Sequence, residues 1–66
     1  MQELKFAKNL KLLRQSVGLT QKQLAEKLGV AQRTVSAWEK KICEPNFSLL
    51  LVLGDIFNEP IDELLK

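Results

Sequence analysis

At 66 residues, with a formal charge of +2, one cysteine and no histidine, the chain has material for one small domain and one core. An internal disulfide is excluded, and so is a zinc site built from the usual ligands. Aliphatic side chains dominate the apolar fraction and only five residues are Gly or Pro, which favours an all-α fold over a small β-barrel.

The charge is unevenly spread. Residues 1–41 hold nine Lys/Arg against three Glu, a balance of +6, whereas residues 42–66 hold Lys66 against five Asp/Glu, a balance of −4. A basic first part suits a polyanionic partner, although a solvated surface would tolerate the same sorting. Gln2, Glu3 and Lys5 interrupt any apolar start, so no signal peptide is expected. The longest apolar run, Phe47 to Phe57, is too short to span a bilayer. A reduced, cytoplasmic location fits the lone cysteine, Cys43.

Five helices are expected in one compact unit, residues 1–66. The first runs from about Gln2 to Val17, with Phe6, Leu10, Leu13 and Val17 at helical spacing and Gly18 as its stop. Thr20 caps the second, Gln21 to Leu28, and Gln23 three residues on completes a capping box. The third runs from about Gln32 to Lys40 or Lys41, weakly marked because Ala31 offers no capping oxygen. Pro45 and Asn46 break and restart the chain before a fourth helix, Phe47 to Phe57. Asn58 and Pro60 separate it from a short fifth, Ile61 to Leu65, with Asp62 and Glu63 in its first turn.

Helices two and three are joined only by Gly29, Val30 and Ala31. So tight a connection cannot lay them antiparallel, and they must cross steeply as a helix-turn-helix spanning about 20–40. Ala25 is small where they would press together, and Leu24, Leu28, Val30, Val35 and Trp38 supply the interior. On the third helix the opposite side gathers Gln32, Arg33, Ser36, Ala37 and Lys40.

At this point "LTQKQLAEKLGVAQRTVSAWE" resembles the helix-turn-helix of the Cro/lambda-repressor (XRE) family of phage and bacterial regulators. The resemblance extends to Arg14 and "GLTQ" before it, and to "P-N-F-x-x-L-x-x-L" and "DIFNEPIDELL" after it. It implies a five-helix lambda-repressor-like domain that inserts its third helix into the DNA major groove and acts as a transcriptional regulator, a repressor. It also implies base reading by Gln32, Arg33 and Ala37 with Ser36 alongside, and phosphate contacts from Thr20, Gln21, Lys40 and Lys41. Arg14 and Glu39 match a structural ion pair. Three departures stand out: Lys40-Lys41 where the family often has Asn-Gly, Ala31 for a Ser/Thr cap, and Pro60 for a Ser/Thr before the last helix.

The chemistry of the residues supports the same roles. Arg pairs bidentately with guanine and Gln with adenine in the major groove, and Gln32 and Arg33 are the long bidentate side chains on the first half of helix three. Gln21 sits where free backbone N–H groups favour a phosphate. Glu39 lies at the edge of the apolar stripe, where an unpaired carboxylate is costly, so a pair with Arg14 is preferred to two separate surface charges. Trp38 belongs with the core, and Cys43 carries no role. The pairings that enzymes use for nucleophilic catalysis are missing, and no cofactor or small-molecule ligand is expected.

The rival is an antitoxin-like or co-regulator module whose partner is another protein. RNA binding lacks the aromatic platforms that single strands use. Helix four reads Phe47, Leu50, Leu53, Gly54 and Phe57 as core-facing, with Leu49, Val52 and Ile56 extending the apolar arc beyond one small core. Homodimerisation through Leu49, Val52, Ile56 and Leu65, on a palindromic operator in double-stranded DNA, is therefore expected.

Overall fold

The computed structural model describes residues 5–65, with the backbone alone at Ile61. These residues form five helices and no strand: α1 (Phe6–Ser16), α2 (Gln21–Leu28), α3 (Gln32–Glu39), α4 (Phe47–Phe57) and α5 (Ile61–Leu65). The start expected for the first helix at Gln2 lies outside the described residues. The third stops at Glu39, with Lys40 as its cap, one or two residues short of the expected end.

Local chemistry accounts for where the helices begin. Thr20 Oγ1 accepts from the Gln23 N–H at 3.0 Å while the Thr20 N–H donates to Gln23 Oε1 at 2.9 Å, a complete capping box. Asn46 Oδ1 accepts from the Leu49 N–H at 2.9 Å. Ala31 makes no side-chain cap for α3.

One motif ends four of the helices. An N–H just past the helix end returns to the carbonyl five residues earlier: Leu19 to Arg14, Val30 to Ala25, Ile42 to Ala37 and Glu59 to Gly54, each at 3.0 Å. The residue directly before that donor is left-handed each time, and those residues are Gly18, Gly29, Lys41 and Asn58. Gly accepts that conformation freely and Asn at small cost; Lys41, at φ 64°, accepts it against its Cβ. The Lys-for-Gly departure therefore leaves the turn intact and strains one residue. Lys41→Gly is expected to raise the denaturation midpoint, by about 1 kcal/mol of stability, with an unchanged denaturant slope. An unmoved midpoint would mean that the lysine side chain offsets its own backbone cost.

The core gathers Phe6 and Leu10 from α1, Leu24 and Ala25 from α2, Val35 and Trp38 from α3, Leu53 and Phe57 from α4, and Leu64 from α5. Leu28 and Val30 pack against it at the helix-turn-helix corner. A Cβ at Gly54 would stand 2.9 Å from the Glu59 carbonyl oxygen, so the bare glycine lets the α4–α5 turn close tightly. Asn9 on α1 donates through Nδ2 to the carbonyls of Leu64 at 3.2 Å and Glu63 at 3.3 Å, tying α1 to the end of α5.

Two expected core residues lie outside. Val17 is half exposed because the helix has ended and the chain turns through Gly18. Phe47 is 65% exposed, since it occupies the first position of α4, ahead of the turns that meet the core; the buried apolar residue at that end is Pro45.

Candidate nucleic-acid interface

On α3, Gln32, Arg33, Ser36, Ala37 and Lys40 fall within an arc of about 140° at 100° per residue. Val35 and Trp38, buried on the other side, lock the rotation of the helix. Gln32 and Arg33 are exposed in its first turn, Ser36 and Ala37 are half-buried behind them, and Lys40 and Lys41 are exposed at its end. The arc thus offers two long polar arms beside two small side chains that permit close approach.

The start of α2 borders this surface through a buried ion pair. Arg14 Nε donates to Glu39 Oε2 at 2.7 Å and Nη2 to Oε1 at 3.1 Å, a two-pronged pair whose side chains are 11% and 6% exposed. Arg14 Nη1 donates to the Leu19 carbonyl at 2.9 Å, so the guanidinium also holds the α1–α2 turn. Burial alone would push the Glu39 carboxyl up. Hydrogen bonds from Arg14 and Gln21, with the charges of Arg14 and Lys11, outweigh it and hold the carboxyl below its ordinary range. The hydrogen bond to Glu39 raises the Arg14 guanidinium, against the opposing effect of burial.

Gln21 was not legible as a member of this network. Its Nε2 donates to Glu39 Oε1 at 3.1 Å, so the side chain is half-buried rather than a free arm. The signal existed only in three dimensions: Gln21 and Glu39 are 18 residues apart and meet because α2 crosses α3. Thr20 is exposed, with its oxygen occupied as the helix cap. The backbone N–H groups of Gln21 and Lys22 have no intrahelical acceptor and face the start of the helix.

A profile of the Helix-turn-helix family matches residues 10–64, nearly the whole described chain. The chain belongs to the helix-turn-helix family. Within it, the domain is of the Cro/lambda-repressor (XRE) type. It is 40% identical over 96% of its length to the HTH-type transcriptional activator BcrR of Enterococcus faecalis. A transcriptional regulator from Listeria innocua superposes with a TM-score of 0.92 at 36% identity, covering 97% of this chain and 60% of that one. The P22 c2 repressor, solved with a synthetic operator, superposes with a TM-score of 0.88 at 29% identity over 98% of this chain and 97% of its own.

The chain spans 31% of BcrR and between 47% and 54% of the other curated relatives it matches. The same fold also recurs within an enzyme, hydroxypropylphosphonic acid epoxidase from S. wedmorenis, where the match covers 32% of that chain at a TM-score of 0.83. Among the described residues no helix of this helix-turn-helix domain is long and apolar enough to cross a membrane.

Proposed function

We propose that this domain binds double-stranded DNA with sequence specificity, lays α3 in the major groove, and regulates transcription as a non-catalytic cytoplasmic repressor. One observation carries the reading. Gln32 and Arg33 stand exposed on the first turn of α3, in a fold that matches an operator-bound repressor along nearly its whole length. A major groove admits one helix, and those two side chains have the bidentate donors and acceptors that distinguish guanine and adenine there. Ser36 and Ala37 are the small residues that let the backbone come close. Lys40 at the end of the arc, with Thr20, Gln21 and Lys41 beside it, holds phosphates, and the α2 N-terminus contributes backbone N–H groups.

Duplexes selected from a random pool supply the operator for the test. On that sequence Arg33→Ala is expected to cost about 1–3 kcal/mol and to relax preference at one base pair. Lys41→Ala is expected to weaken all sequences alike and to lower the salt slope by about 1. Equal loss on every sequence for Arg33→Ala would show that it touches only phosphate.

The recovered sequence should be palindromic, because the binding species in this reading is a homodimer. Two recognition helices about 34–36 Å apart would meet successive major grooves on one side of the duplex. The interface uses Val52, which is exposed, with Leu49, Ile56 and Leu65, which are half-buried along their own core. Leu51 and Phe47, both exposed on α4, extend the same apolar helix.

A further inference from the structure

We infer that Glu39 is a positioning residue for DNA binding, because its carboxylate aims the Gln21 amide at the start of α2. The inference rests on the reading that Gln21 contacts a phosphate. A carboxylate only accepts hydrogen bonds, so Glu39 compels Gln21 to turn its nitrogen inward, through the 3.1 Å bond from Nε2 to Oε1. An amide nitrogen carries two hydrogens, and the one not given to Glu39 remains a donor that a phosphate can take. The backbone N–H groups of the same helix start are the neighbouring donors.

The carboxylate cannot itself swing away. Both its oxygens are held by Arg14, at 2.7 and 3.1 Å, and Arg14 is anchored to the Leu19 carbonyl just before the cap of α2. A surface glutamine must be ordered when it binds; this one is ordered beforehand.

Glu39 is an anion close to the surface where a polyanion would bind, so by charge alone Glu39→Gln should tighten DNA binding. Positioning predicts the reverse. With the selected duplex, at a temperature where circular dichroism shows each variant folded, Glu39→Gln is expected to bind about fivefold more weakly. Gln21→Ala should lose about as much, and the double variant should lose no more than either single one. In a scan replacing single phosphates by neutral methylphosphonates, the wild type should be sensitive at one phosphate to which both single variants have become indifferent. If Glu39→Gln does not fold, Glu39→Asp serves instead, since the shorter acid keeps its charge but cannot span both partners.

Binding by Glu39→Gln as tight as wild type, beside weakened Gln21→Ala, overturns positioning and leaves the phosphate contact standing. Additive losses overturn it as well, by showing that Glu39 acts apart from Gln21. An unaffected Gln21→Ala overturns the phosphate contact, and positioning with it.

Discussion

Arg14→Ala is expected to remove about 3–5 kcal/mol, a large share of the stability that a domain of this size possesses. The substitution strands the Glu39 carboxylate, whose side chain is 6% exposed, with only the Gln21 amide for company. It also leaves the Leu19 carbonyl without its donor and loosens the turn that leads into α2. Exposed ion pairs are worth ~0–1 kcal/mol, so the size of the loss separates a buried structural pair from a surface one. A double-mutant cycle of Arg14→Ala with Glu39→Ala should show strong coupling, and its absence would refute the pair.

The pH dependence of stability should change sign with the same substitution. In the wild type the folded Glu39 carboxyl lies below its unfolded value of about 4.3, so the unfolded chain takes up the proton first as the pH falls. Its contribution is therefore present above about pH 4.3 and is lost as the pH falls through the lower folded value. In Arg14→Ala burial dominates and raises the carboxyl, so that variant should gain stability relative to wild type on acidification. Urea midpoints between pH 3 and 7 read both slopes.

Val52→Asp is expected to lower affinity for a palindromic duplex by about 10²–10⁴-fold while leaving a half-site duplex bound as before. Joining two half-sites makes the second contact intramolecular, and a monomer forfeits that advantage. Val52 suits the test because it is 40% exposed, so an aspartate there stays solvated in the monomer and spares the core. Leu49 and Ile56 would be poorer choices, since both also pack against their own chain. Sedimentation at micromolar concentration should show a wild-type dimer and a folded Val52→Asp monomer. A wild type that sediments as a monomer even on the palindromic duplex ends the dimer proposal.

The contrast within α4 shows which features were readable in advance. Its limits, Phe47 and Phe57, follow from the Asn46 cap and the left-handed Asn58, both set by side chains a few residues away. Its core-facing stripe was readable in part, since Leu50, Leu53, Gly54 and Phe57 turn inward as expected, but nearly every position is apolar and no polar stripe marks the outer side. Packing decided that Leu49 and Ile56 lie half-covered, and that Phe47 stands in solvent. On α3, by contrast, Val35 and Trp38 stand opposite the centre of the arc that holds Gln32, Arg33, Ser36, Ala37 and Lys40, so the pattern names the outer face directly.

By itself the sequence determined the bounds of α2, α4 and α5, and which side of α3 is polar. Caps, turns and periodicity act across four or five residues, and the chain carries them whether or not it is folded. Only the tertiary structure decided that Gln21 spends one amide hydrogen on Glu39, that Lys41 holds a left-handed turn, and which apolar residues of α4 remain uncovered. Two of these depend on side chains brought together from distant segments. At Lys41, closure of the turn back to Ala37 prevailed over a lysine's own backbone preference.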